Sequence, residues 1–284
     1  LLTHGVLPDA FRPPLYPALI AATTALGGAT ATPVRLAQAI IGTLAGLVLY
    51  RWLRGHVGHR GALLSTALWC LHPVLIGYTH LLWTETVFLS MLIFFLATAL
   101  PVDALSTRRT AAAGLLFGLT ALIRSVLTPV FWLAPLFVLV QPSRFALRDR
   151  PLLRTVVFLS AFGVTMAPWV AHNVAVEGRP ILTETTHGYN LWKGNTDWEH
   201  PLATEGPQYP GPLVSIPMFP YEGSGPRITA HCEAEHQDSG PFTRWHLSRC
   251  AQAMAKSHIV ADPLGFLSRG LSKLGHAFHP SNLL

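Results

Sequence analysis

The chain of 284 residues is half apolar and only 12% charged, with a mean hydropathy of +0.39, whereas an ordinary soluble domain carries roughly 25% charge. So little charge cannot cover a water-soluble fold of this size, and the composition points to a polytopic membrane protein. The net charge of +6 divides into +8 over residues 1–172 and −2 over 173–284. That places the basic excess in loops beside a membrane and, with no basic stripe interleaved with aromatics, argues against nucleic acid as a partner.

In chain order, Leu1 to Gly5 has neither the basic region nor the apolar run of a signal peptide. The chain opens without Met and closes at Leu283-Leu284 after a helix-like segment, so both ends are expected to be cuts in a longer protein. Leu15 to Gly28 is apolar but shorter than the ~17 residues of a normal crossing. Pro13, Pro14 and Pro17 at its start suit an interfacial or re-entrant helix better than a regular span. Stretches 33–53, 61–79, 82–100, 111–140 and 153–172 come close to the ~20 residues a span requires. The fourth is overlong and carries Arg124 near its middle and Pro129 beyond. It is therefore read as two short helices, 111–123 and 126–140, giving about six spans.

Loop charge orients these elements. Arg51, Arg54 and Arg60, then Arg108 and Arg109, then Arg144, Arg148, Arg150 and Arg154 fall in alternate loops, which the positive-inside rule places in the cytoplasm. Glu85, Arg124 and everything after 172 then face outside, and the interfacial reading of 15–28 puts Arg12 with them. The expected domains are an outer-loop end with its interfacial helix (1–32), a transmembrane module (33–172) and an extracytoplasmic region (173–284). In that last region seven prolines between Pro201 and Pro226 predict a loop. Helical patterning returns over 244–256 and 263–277, where Leu264, Leu267, Leu271 and Leu274 share one face. The fold class is all-α polytopic membrane protein with a mixed, loop-rich extracytoplasmic region.

Three ionisable residues stand out. Glu85 is the only acid between Asp9 and Asp103 and opens a span; such a residue is by default a functional hypothesis, although a helix N-terminus alone would also favour it. Arg124 interrupts an apolar stretch and needs an anionic partner, which could be Glu85 itself. Arg12 singly reads as a snorkelling interface residue. Two outward arginines with one carboxylate on one membrane face fit a phosphate-bearing ligand, because arginine binds phosphate through paired charge-assisted hydrogen bonds. Cys70 lies inside a span. Cys232 and Cys250 could form a disulfide, remain free thiols or, with His231, His236 and His246, hold zinc, although the spacing matches no strong ligand pattern. Phosphate-binding glycine loops, nucleophile elbows and His-Glu-x-x-His are absent from the sequence.

Six segments in order resemble the polytopic GT-C glycosyltransferases related to dolichyl-phosphate-mannose–protein mannosyltransferases, whose bacterial relatives include the lipid A aminoarabinose transferase. They are Arg12-Pro13-Pro14-Leu15-Tyr16-Pro17, the span opened by Arg35 with Gly58 and Gly61 after it, Trp83-Thr84-Glu85, Gly114 through Arg124, Ala167-Pro168-Trp169-Val170-Ala171-His172-Asn173, and Gly188 through Asn195. The family's seven-helix module also requires an interfacial 15–28. His172 stands where the family has arginine. The family's catalytic aspartate falls before Leu1, since Asp9 lies too close to Arg12, and this fragment is therefore expected to be inactive.

The resemblance implies inverting transfer of a sugar from a polyprenyl-phosphate donor to an extracytoplasmic acceptor (protein, lipid or polysaccharide), at the outer face of a bacterial plasma membrane. The upstream aspartate would be the general base, and Arg12 and Arg124 would hold the donor phosphate. Glu85 would orient the acceptor or the arginines, or hold a divalent cation, the one cofactor under consideration. Tyr189, Asn190 and Asn195 would lie on the acceptor side. Two alternatives remain: a non-catalytic membrane protein or transporter in which Glu85 and Arg124 are a structural pair, and a degenerate pseudoenzyme.

Overall fold

A computed structural model describes residues 10, 12–101, 106–127, 151–195, 225–236 and 242–277, without the side chains of 151, 193–195, 225–227, 269 and 272–277. Asp9, most of the predicted span 126–140, the basic positions 144–150 and nearly all of the proline-rich loop lie outside the described residues. Among the described residues every regular element is helical and there is no strand. The chain is an all-α polytopic membrane protein, and it divides into two compact units, Leu1–Glu184 and Thr185–Leu284.

The first unit starts with α1 (Leu15–Gly27), entered from Pro13-Pro14 and stopped at Gly28, whose φ of 90° is open to glycine. Helix α2 (Thr32–Leu71) contains a break at Gly58 (φ 77°, ψ 177°), after which the chain runs back along itself. The Tyr50 hydroxyl meets His59 Nδ1 at 2.9 Å, and the Trp69 indole donates to the Gly42 carbonyl at 3.3 Å. The predicted spans 33–53 and 61–79 are thus two arms of one hairpin, and the second arm is interrupted at His72, where Pro73 opens α3 (Pro73–His80). The axis then bends by 118° into α4 (Glu85–Ala99).

Helix α5 (Thr107–Ala121) is capped by the Ser106 side chain, which accepts from the Arg109 N–H. It ends just before Arg124, and a short 3-10 turn covers Ser125–Leu127. Helix α6 (Pro151–Glu177) lies parallel to α5, and Gly114 and Gly118 are what allow them to approach. A methyl at Gly114 would run into the Phe158 carbonyl, and one at Gly118 into Thr165, the small-xxx-small solution of membrane helices. Phe117 fills the remaining space between Phe95, Phe158 and Phe162.

This unit is inverted relative to a water-soluble bundle. Leu36, Ile40, Leu44, Leu64, Leu68 and Val164 are exposed, while Gln38, Ser90, Thr110 and Thr120 are buried. Hydrocarbon offers no hydrogen bonds; accordingly Ser90, Thr98, Thr120 and Thr165 each return their hydroxyl to the carbonyl four residues back. Among the described residues, two helices can cross a membrane by length and hydropathy, α2 and residues 152–177, with the bent pair α3–α4 as a third candidate.

The second unit comprises α7 (Thr186–Asn195), α8 (Gly225–Glu235), α9 (Arg244–Ala261) and α10 (Pro263–Ala277). Trp192, Ile228, Leu247, Ala251 and Ala255 form its core. A disulfide joins Cys232 to Cys250, which resolves the three options for these cysteines, and Cys70 is free. Gly188 lets α7 pack on α9, because a side chain there would meet the Ser248 carbonyl.

Candidate functional site

The first unit gathers four of the motif-bearing segments at one end. The Leu15 N–H donates to the Leu122 carbonyl at 3.0 Å, tying the strand of chain that bears Arg12 to the one that bears Arg124. Tyr16 is buried with Val87 and Ile123 in a small apolar cluster, and its hydroxyl donates to Gln38 Oε1 at 2.8 Å. Gln38, fully buried in the first arm of α2, uses its amide N–H groups on the carbonyls of Thr79 and Leu81 at 3.0 and 2.9 Å. Arg35 Nε donates to the His80 carbonyl at 2.9 Å. Three consecutive carbonyls of the turn before Glu85 are thus engaged by side chains from α2, and that turn is where α4 begins.

Glu85 is the first residue of α4, where its carboxylate faces the partial positive charge of the helix N-terminus. Its Oε1 is bonded to Nη1 of Arg124, which leaves α5 at its C-terminal turn. The Arg124 guanidinium also lies 5.8 Å from the Phe88 ring centroid, a cation–π contact. The pair is not sealed, the Arg124 side chain being 41% exposed and that of Glu85 23%. Burial first, and the negative charge of Glu85 second, push the Tyr16 phenol well above its ordinary range, so it remains a hydrogen-bond donor through neutral pH.

A further carboxylate belongs to this end. After Gly178, which turns the chain at a φ of 68°, residues 179–184 fold back over α6. The Trp169 indole donates to the Thr183 carbonyl and the Asn173 amide to the Ile181 carbonyl, both at 2.7 Å. This brings Glu184 to Ser125, whose hydroxyl bonds to Glu184 Oε1. His172 stacks on Trp169, 5.0 Å between centroids and 16° between planes.

The sequence reading named Glu85 and Arg124, and the structure brings them into direct contact. Arg12 is exposed and lies on the segment held by Leu15. Tyr189 packs its ring 5.7 Å from Trp192 in the core of the second unit, Asn190 is exposed, and the Asn195 side chain lies outside the described ones. Gln38, Tyr16, Ser125 and Glu184 were not anticipated as site residues. Gln38 had a sequence signal, an amide on an otherwise apolar span; Glu184 had none, because only tertiary bonds place it. Among the described residues no three His, Cys, Asp or Glu side chains gather as a metal site. A groove of about 210 Å³, lined by Gly42, Thr43, Trp69, Ile76, Thr86 and Leu89 among others, opens on α4 beginning at Thr86, the residue after Glu85.

The chemistry available at this end is anion recognition, by an arginine already balanced by a carboxylate. In comparisons with known proteins, the family described as dolichyl-phosphate-mannose-protein mannosyltransferase matches residues 11–170, more than half of the chain. No curated protein and no solved structure gives a significant match.

Proposed function

Because the chain belongs to the dolichyl-phosphate-mannose-protein mannosyltransferase family, a family of membrane glycosyltransferases, we propose that its outer end binds a polyprenyl-phosphate-linked sugar and passes the sugar, with inversion, to an extracytoplasmic acceptor. The observation that carries this reading is the Arg124–Glu85 pair at the start of α4, the helix whose Thr86 and Leu89 line a groove. A guanidinium is the group that binds a phosphodiester through two parallel charge-assisted bonds. Arg124, with Arg12 on the neighbouring segment, neutralises the charge that grows on the phosphate as the C1–O bond to the sugar breaks. The departing polyprenyl phosphate retains the bonding electrons and the acceptor hydroxyl attacks C1 from the opposite face, losing its proton to a general base.

Glu85 holds Arg124 in place before the donor arrives and orients it, or the acceptor, afterwards; a divalent cation at Glu85 is the one cofactor this reading admits. Glu85 and Glu184 are both engaged by donors, so neither is assigned as the base. The Tyr189–Asn195 segment is proposed for the acceptor side and the plasma membrane of a bacterium for the setting, with the site outside.

The test uses the full-length protein in lipid nanodiscs with a panel of polyprenyl-phosphate sugars, reading polyprenyl phosphate released in the presence of membrane acceptors. Arg124→Ala should reduce release by a factor of about 10²–10³ while membrane insertion is unchanged. Wild-type rates in Arg124→Ala would remove this residue from the phosphate site.

A further inference from the structure

The segment from Trp169 to Glu184 has no direct part in the pair, yet it ends one residue from Arg124. Arg124 sits between the C-terminal turn of α5 and a three-residue 3-10 turn, and a turn this short has little internal hydrogen bonding to hold its direction. Its backbone is tied on one side by Leu15 to Leu122. The Arg124 N–H bonds back to the Thr120 carbonyl at 3.2 Å, and on the other side, among the described residues, the Ser125 hydroxyl is tied to Glu184. Glu184 is in turn placed by Trp169 and Asn173, whose side chains take the Thr183 and Ile181 carbonyls. Backbone carbonyls captured this way constrain a loop strongly, since releasing either would leave a buried donor unsatisfied.

We propose that Glu184 is a positioning residue for the phosphate site: through Ser125 it holds the turn that aims Arg124, and Trp169 and Asn173 are its supports. This rests on the reading of Arg124 as the phosphate holder. A carboxylate accepting from a serine hydroxyl makes a bond stronger than a neutral one, but its role requires only an acceptor oxygen. Glutamine at 184 therefore keeps the function through its carbonyl oxygen, and alanine does not.

The experiment uses full-length protein in nanodiscs with undecaprenyl monophosphate as the probe, and measures two quantities for Glu184→Ala, Glu184→Gln, Ser125→Ala and the Ser125→Ala/Glu184→Ala double variant. Affinity for the probe should fall about tenfold in either alanine variant, with the double variant no worse than each single, as expected for two ends of one bond. Amide deuterium uptake across residues 122–127 should rise in the same variants. Glu184→Gln should stay within about twofold of wild type in affinity and show wild-type uptake, which also separates positioning from loss of fold. Unchanged uptake in Glu184→Ala overturns the proposal, as does Glu184→Gln behaving like Glu184→Ala, since the charge itself would then be acting. If Arg124→Ala binds the probe as wild type does, the phosphate reading fails, and the uptake data alone still decide whether Glu184 holds the turn.

Discussion

The two units of this chain hold themselves together by opposite means. In the first, many leucines, isoleucines and valines lie on the outside, and the interior joins an aromatic cluster around Phe117 to close glycine contacts, self-satisfied hydroxyls and two fully buried amides, Gln38 and Asn173. In the second, a small apolar core gathers around Trp192 while the leucines of α10 stay exposed, and a covalent bond between Cys232 and Cys250 closes the helices over that core. The difference is one of solvent. A lipid-facing bundle gains nothing by burying leucine, so its specificity comes from close approach and hydrogen bonds. A small unit with so slight a core benefits from a cross-link. The candidate site lies in the first unit, where the buried supports of the part-exposed pair are the groups that have no water to turn to.

The strongest way to break that contrast is a charge swap at the pair. If Glu85 and Arg124 were only structural, Glu85→Arg combined with Arg124→Glu would restore both thermal stability and function after the single changes had damaged them. The site reading predicts that stability recovers and transfer does not. A carboxylate at 124 repels the donor phosphate, so turnover should remain lower by a factor of at least about 10². Recovery of transfer in the swap would make the pair structural, and the first unit would then differ from the second in packing alone.

Removing the disulfide sharpens the other side. Cys232→Ser with Cys250→Ser opens a cross-link spanning 18 positions, worth about 3 kcal/mol. The loss should appear as proteolytic sensitivity of residues 185–284, with deuterium uptake over 12–184 unchanged. Equal loosening of both regions would show that they fold as one body.

These contrasts also mark what the sequence could and could not say. The helical character, the membrane class, Glu85 at a helix start and the interruption at Arg124 were legible, because hydropathy and a charge within an apolar run are local signals. The apolar stripe through Leu264, Leu267 and Leu271 was legible for the same reason, and those side chains are exposed on α10. The split of 33–79 was seen as two spans, but not that Gly58 folds them into one hairpin nor that His72-Pro73 breaks the second arm. Gln38 is 40 or more residues from the carbonyls it holds, and Glu184 is 59 from Ser125. Nothing periodic relates such pairs. Of the site, therefore, the charged partners could be read, and of their supports only Gln38, an amide on an apolar span, left a local mark.

The finest test of that last statement is Tyr16→Phe. The ring remains, with its packing on Val87 and Ile123, and only the hydroxyl that donates to Gln38 is lost. A single buried acceptor left unpaired costs about 1 kcal/mol, too little to unfold the unit but enough to loosen Gln38, and through it the turn that delivers Glu85. The expected result is a few-fold rise in KM for the donor with kcat nearly unchanged. An alkaline signature accompanies it. Burial and the charge of Glu85 raise the folded phenol's pKa above its value in the unfolded chain, near 10. The stabilisation linked to that proton is therefore complete below about pH 10 and is lost as pH rises beyond it. Wild-type protein should thus lose melting temperature above pH 10 more steeply than Tyr16→Phe, which has no phenol to ionise. Parallel alkaline limbs would mean that the phenol is not buried beside the charge of Glu85, and an unchanged KM that the amide of Gln38 is anchored by backbone carbonyls alone.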